Sequence, residues 1–200
     1  MNPEWFVKKF GDSNGSLRFK EIEAAVEQLE DSATLPLFIP HVAGRVMPGR
    51  PDLRGAFVGL NWDHGKEHLF RAILEGVALE YGLYKEAATA LQPDLHLREV
   101  RVTGGGERSQ LWNTMKSGVL QTPVVRIKQN QGAPLGIAMV AAVAAGIFND
   151  FSTASKSWIS TGDTITCNTD RYAFFEKRLE SYRDLVDSME RFTTTHPFRD

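Results

Sequence analysis

Cysteine is nearly missing from this chain: Cys167 is the only one in 200 residues. A single thiol excludes a disulfide framework and a zinc site built from cysteines within one chain. An excess of one charge is missing too. Twenty-three Lys and Arg stand against 25 Asp and Glu, a formal net charge of −2. No basic field therefore argues for nucleic acid or an acidic membrane. No apolar run approaches the roughly 20 residues of a membrane span; the longest, Ile137 to Phe148, is alanine-rich and broken by Gly146. A cleavable leader is not visible, because the start carries Glu4, Lys8 and Lys9. These absences set the expectation of a cytoplasmic protein with neither nucleic acid nor membrane as partner. What is present, 42% hydrophobic and 24% charged residues, is ordinary for a soluble globular protein. The length suits one sizeable domain, 1–200, with its own core.

Along the chain, Met1 to Gly15 shows no clear element. Phe19, Ile22, Val26 and Leu29 repeat at helical spacing, with Glu21, Glu23, Glu27 and Glu30 off that face and Ser16 as a candidate cap. Leu35 to Pro40 reads as extended, His41 to Asp52 as a long loop, and Phe57 to Leu60 as a short strand. Asp63 suits the cap of a helix from about Lys66 to Leu91. Its apolar face is Leu69, Ala72, Ile73, Gly76, Val77, Leu83 and Tyr84, with Gly76 at a close packing contact. A strand from Glu99 to Thr103 leads to a helix bearing Leu111, Met115, Gly118 and Val119, which Pro123 stops before the strand Val124 to Ile127. Gln129 to Gly132 reads as a turn, and Pro134 suits the first turn of an alanine-rich helix that is apolar all round and so expected to be buried. Ser152 to Thr169 reads as irregular. Tyr172, Phe175, Leu179, Tyr182, Val186 and Met189 form the seam of a long terminal helix. The alternation of strand and helix from Glu99 onward predicts an α/β layered fold.

The most informative stretch is Val100 to Trp112, where a β-branched run ends in Gly104, Gly105 and Gly106 and an amphipathic segment follows. With no Cβ in the way, a second backbone or a flat ligand can come close there. The following helix N-terminus offers unpaired N–H groups to an anion. This is the local chemistry of a phosphate or nucleotide contact, although a tight turn with no ligand accounts for the same residues. The dinucleotide fingerprint is excluded, because its third glycine falls on Ser109, and no Gly-Lys-Ser/Thr follows to make a P-loop. His64 and His68 spell H-x-x-E-H, but Gly65 sits where the helix begins and no further histidine spacing supports a metal. There is no G-x-S-x-G nucleophile. Arg45 and Arg50 lie in a glycine-rich loop where a guanidinium could meet phosphate or carboxylate, or simply water.

Four ordered segments resemble the carboxyl-terminal domain of the FGGY family of carbohydrate kinases. They are Gly55-Ala-Phe57-Val-Gly59-Leu60 followed by His68-Leu69 and Ala72-Ile73-Leu74-Glu75; Pro40 through Gly44-Arg45 to Pro48; Gly104-Gly105-Gly106 through Ser109 to Trp112; and Ala133-Pro134-Leu135-Gly136-Ile-Ala138. Within the family, Gly-Gly-Gly-x-x-Ser and Gly-Ala-Pro-Leu-Gly look most like the xylulokinase branch.

The resemblance implies an actin-like ATPase, ribonuclease-H-like domain with a mixed sheet flanked by helices, the nucleotide-side half of a two-domain kinase. It implies ATP and Mg2+ as cofactors and transfer of the γ-phosphoryl group to a hydroxyl of a ketopentose, foremost xylulose. A kinase for another sugar or polyol, or a non-catalytic ATP-binding or assembly module, stays open beside it. By resemblance Gly104, Gly105 and Gly106 approach the adenosine and phosphates, Ser109 lies near the adenine, Glu107 and Arg108 line the ribose side, and Arg45 is a possible cleft residue. No metal ligand is assigned. The catalytic Asp, the first phosphate loop and most sugar contacts are expected in an amino-terminal domain that this sequence does not contain, so the chain alone is expected to be inactive. Uncovered strand edges, the uncovered cleft face and, if the terminal helix is not fully docked, its Tyr172–Met189 seam set the expectation of a homodimer.

Overall fold

The computed structural model describes residues 2–10, 19–128 and 132–198. Helix α3, Lys66–Leu91, is the axis on which the rest packs. Its residues from Phe70 to Gly76 are all buried, so its covered surface is wider than the one stripe its periodicity predicts. On one side lies a small antiparallel pair, β1 (Leu37–Ile39) and β2 (Ala56–Val58), with Phe38 opposite Phe57. Gly76 faces it directly: a Cβ there would sit 2.2 Å from the Phe38 carbonyl oxygen. The close contact expected of Gly76 is real, and its reason is backbone against backbone.

Helices α1 (Asn2–Phe10) and α2 (Phe19–Glu27) cover the same axis. Helix α1 corrects the expectation that Met1 to Gly15 holds no element. It carries Glu4 in its first turn and Lys8 and Lys9 in its last, which suits the helix dipole, and buries Phe6 with its ring 5.7 Å from that of Phe70. The proposed Ser16 cap and most of the Gln129–Gly132 turn lie outside the described residues. Asp63 does not cap α3. The cap is Gly65, whose N–H donates to His68 Nδ1 at 3.1 Å.

The second half is a β-α-β unit and its extension. Strand β3 (Val100–Val102) leads through a 3-10 turn (Gly105–Arg108) to α4 (Gln110–Leu120) and on to β4 (Val124–Ile127), parallel to β3 with Val100 opposite Val124. Strand β5 (Thr161–Ile165) runs antiparallel on the other side of β4, so the sheet is mixed in the order β3-β4-β5. Residues Ser152 to Thr169 are thus not irregular: they hold most of α6 (Phe151–Trp158) and all of β5. The polar Ser and Thr content hid them, because β5 lies at the sheet edge and keeps only Ile165 buried.

Helix α5 (Ala133–Ala144) also departs from expectation. It buries only Met139 and Ala142, while Ile137 is 71% and Val140 52% exposed. It packs chiefly on α6, and one short neighbour cannot cover a helix that is apolar all round. Helix α7 (Tyr172–Thr195) docks on α3 and α4, burying Phe175, Tyr182 and Val186 from the predicted seam. Arg178 is buried on the same face and pairs with Glu75 of α3. Its other nitrogens donate to the carbonyls of Leu35 at 2.8 Å and Pro36 at 3.0 Å.

Candidate functional site

The three glycines that end β3 differ in their surroundings. Gly104 has φ +92°, a conformation that side chains rarely adopt. Gly106 lies against the Trp112 ring, where a Cβ would come within 2.5 Å of Cζ3. Gly105 has no atom within 4 Å of where its Cβ would be. Packing therefore does not explain a glycine there.

The turn is held from below. The Glu107 N–H donates to the Gly104 carbonyl at 3.2 Å. The Glu107 carbonyl accepts from Asn113 Nδ2 at 2.7 Å and from Arg126 Nε of β4 at 2.9 Å. Arg126 Nη2 also donates to the Arg108 carbonyl at 3.3 Å. Ser109 caps α4, its hydroxyl oxygen accepting from the Trp112 N–H at 3.1 Å, which leaves the hydroxyl proton to donate elsewhere. Trp112 is itself pinned by its indole N–H on the Leu74 carbonyl at 2.8 Å. Lys116, 5% exposed, donates to Asn113 Oδ1 at 3.0 Å and sits 4.0 Å from the Trp112 ring centre. Burial pushes its ammonium pKa down to about 8.

Beside the turn lies a cavity of about 1060 Å³, walled by α1, α2, α3, β3 and α4. Gly105, Gly106, Glu107, Arg108 and Ser109 line it together with Lys116. Its lining is apolar at Phe70, Leu74 and Leu120 and carries both charge signs elsewhere, Lys20, Lys85 and Arg101 beside Glu4 and Glu23. An apolar cleft with a few convergent polar groups is the usual form of a small-molecule site.

Arg45 stands apart from this cluster. Its loop folds inward, but onto α3 and α7: Nη2 meets Glu80 Oε1 at 3.0 Å and Nη1 meets Glu190 Oε1 at 2.6 Å. His41 Nε2 lies 3.4 Å from Glu80 Oε2, and the Tyr182 hydroxyl donates to the same oxygen at 2.9 Å. Burial alone would raise the Glu80 carboxyl, but His41, Arg45 and Tyr182 outweigh it and hold the pKa below the ordinary value. The His64 and His68 rings lie 5.1 Å apart, yet His64 precedes the helix and no group of three or more potential metal ligands occurs among the described residues. Cys167 is buried, its N–H donating to Ser117 Oγ at 3.1 Å, and burial pushes its thiol up.

The model of the FGGY family of carbohydrate kinases, C-terminal domain, matches residues 4–145, a span that includes the whole glycine turn. The chain belongs to this family. Similar FGGY proteins include the xylulose kinase of Escherichia coli (strain K12), 31% identical over 196 residues, covering 93% of this chain and 37% of that protein. The gluconokinase of Bacillus subtilis (strain 168) is 34% identical over 152 residues, 75% of this chain and 28% of that protein. The ligand-bound xylulose kinase of Lactobacillus acidophilus superposes with a TM-score of 0.78 over 94% of this chain and 37% of that one, at 20% identity. The fold is thus the actin-like ATPase fold of the FGGY kinases, with a mixed sheet flanked by helices. The chain spans little more than a third of the length of the curated xylulose kinases it matches.

Lys116, Asn113 and Arg126 were not singled out by the sequence. The one available signal was helical spacing: Lys116 falls four residues after Trp112 on α4 and so shares its face.

Proposed function

We propose that this chain is a single nucleotide-side domain, 1–200, of a sugar kinase. In this reading the γ-phosphoryl group of ATP passes to a hydroxyl of a ketopentose, xylulose foremost. The observation that carries it is Gly105, whose open α-carbon forms the lip of the cavity in a family of carbohydrate kinases. Gly104, Gly105 and Gly106 let the backbone reach the adenosine and phosphates, Ser109 offers its hydroxyl proton to the base, and Glu107 and Arg108 flank the ribose. Phosphoryl transfer asks for positioning and neutralised charge rather than covalent help, and a braced turn supplies positioning. Mg2+ is the expected partner of the phosphates. It arrives on the nucleotide, as magnesium commonly does in such sites. Arg45 supports the loop, not the ligand.

The base that deprotonates the sugar and the sugar pocket itself are assigned to a companion amino-terminal domain. Similarity to gluconokinases as well as xylulose kinases makes gluconate the first competing substrate. For the isolated chain a homodimer is the expected assembly, given the open apolar residues of α5. The deciding experiment is calorimetric titration of the 200-residue chain with ATP, followed by a turnover assay with xylulose. Saturable ATP binding without turnover is the expected outcome. No ATP binding, or sugar phosphorylation by this chain alone, overturns the assignment.

A further inference from the structure

The turn between β2 and α3 is closed by two histidines acting as acceptors. The Asn61 N–H donates to His64 Nδ1 at 3.1 Å, and the Gly65 N–H donates to His68 Nδ1 at 3.1 Å. A ring nitrogen that accepts carries no proton, so in this arrangement each imidazole holds its proton on Nε2. His68 Nδ1 has a second neighbour with the opposite demand: Glu67 Oε1 also lies 3.1 Å away. Without a proton, Nδ1 satisfies the Gly65 N–H and repels the carboxylate. With a proton, it bonds the carboxylate and confronts the N–H. No single protonation state serves both contacts. Gly65 leaves room for this arrangement, because a Cβ there would run into the Glu67 carboxylate.

Two more features oppose a charged pair. The His64 and His68 rings are 5.1 Å apart, so two imidazoliums would repel each other. Both also stand at the amino end of α3, where the helix dipole disfavours cations. Glu67 is the acid that pairs with His68. No other charged group, from the turn or from the elements packed on α3, forms an ion pair with either ring among the described residues. Asp63 and Lys66 are the neighbouring charges along the chain.

We propose that the turn from Leu60 to Gly65 is a proton-operated switch. With both histidines neutral, the turn is clamped to the amino end of α3. When His68 takes up a proton from solvent, Nδ1 stops accepting from Gly65 and donates to Glu67 instead. Protonation of His64 likewise ends its bond from the Asn61 N–H. Histidine is the side chain that ordinarily changes charge between about pH 5 and 8, so the clamp opens on mild acidification. The released turn carries Leu60, 55% exposed, and the fully exposed Trp62, while the buried stretch of α3 from Phe70 onward keeps its core contacts. The device is independent of the nucleotide reading, because neither histidine lines the cavity beside the glycine turn.

The test is NMR of the isotope-labelled 200-residue chain across about pH 8 to 5, following the histidine rings and the Asn61 and Gly65 amides. In the wild type the Gly65 amide is expected to shift in step with the His68 ring, and the Asn61 amide with the His64 ring. Hydrogen-exchange protection of Gly65 falls by about tenfold across the transition, the effect of losing one hydrogen bond. Glu67→Gln removes the acceptor that favours the proton, so the His68 midpoint moves to lower pH by about 0.3–0.5 unit. His68→Gln keeps an acceptor in reach of the Gly65 N–H but has no proton to gain, so Gly65 stays protected at both ends of the range. This variant also guards against reading a folding defect as a switch. A Gly65 amide that does not follow the His68 ring overturns the proposal. So does a His68→Gln chain that still loses Gly65 protection on acidification, or an unmoved His68 midpoint in Glu67→Gln.

Discussion

The Lys116 ammonium sits 4.0 Å from the centre of the Trp112 ring and hydrogen-bonds Asn113, whose amide in turn holds the Glu107 carbonyl. A buried amine thereby connects to the main chain of the glycine turn in two steps. Desolvation holds its pKa at about 8, against an ordinary 10.5. Because the folded pKa is depressed, the unfolded chain binds the extra proton between those values, and stability rises with pH across that window. A gap of this size corresponds to a cost of about 3 kcal/mol at neutral pH, which the contact with the indole face offsets by about 1–2 kcal/mol. Lys116→Met should therefore be as stable as the wild type or more so at pH 7, and should lose the alkaline gain between pH 8 and 10. Thermal melts of both proteins across that range check it. The same variant should bind ATP more weakly, since Asn113 loses its anchor.

The Glu80 cluster predicts the opposite end of the pH scale. Its carboxyl is held below the ordinary 4.5 despite burial, so its contribution is complete above that value and is lost as pH falls through the depressed folded pKa. Acid unfolding of Glu80→Ala should start from a lower stability, by about 3–5 kcal/mol, since Arg45 and His41 are left buried beside an empty place. Its unfolding free energy should also depend less on pH below 4.5 than that of the wild type. Urea melts at pH 3.5 to 6 measure both effects.

What the sequence made legible follows from how strongly each element is bound to a period or a special residue. Helices α3 and α7 are long and apolar at regular spacing, and they lie where expected. The glycine turn is legible because glycine runs are rarely accidental, and Gly104, by its positive φ, and Gly106, by its contact with Trp112, prove to have a physical reason. Strand β5 was hidden because an edge strand buries little, and Thr161 to Thr164 carry no apolar alternation. Helix α5 misled for the reverse reason: apolar composition reports what a surface could bury, not whether a neighbour covers it. Glu107, Asn113 and Lys116 were opaque as a network, since nothing in a one-dimensional spacing shows that a carbonyl at 107 meets an amide at 113.

Gly76 gives a packing test independent of the cavity. Its Cβ would meet the Phe38 backbone oxygen at 2.2 Å, and a backbone atom cannot swing aside as a side-chain tip can. Gly76→Ala should gain helix propensity yet lose overall, by about 1–3 kcal/mol, through forced separation of α3 from β1. A melting temperature equal to or above that of the wild type would show that the two elements slide apart freely.

Gly104 and Gly105 are neighbours with opposite expected phenotypes. Gly104 needs its positive φ of +92°, so Gly104→Ala strains the backbone at a cost of about 1–3 kcal/mol and should lower stability with or without nucleotide. Gly105 meets nothing within 4 Å, so a side chain there points into the space that the cavity leaves open. Gly105→Val should therefore keep its unfolding free energy within about 0.5–1 kcal/mol of the wild type, as surface substitutions do. Its ATP affinity should fall by about tenfold or more, the effect of a misplaced 1.4 kcal/mol contact. Reading chemical unfolding and ATP titration on both variants separates the two roles. If Gly105→Val binds ATP as the wild type does while remaining folded, the lip of the turn does not touch the nucleotide, and the glycines serve the turn alone.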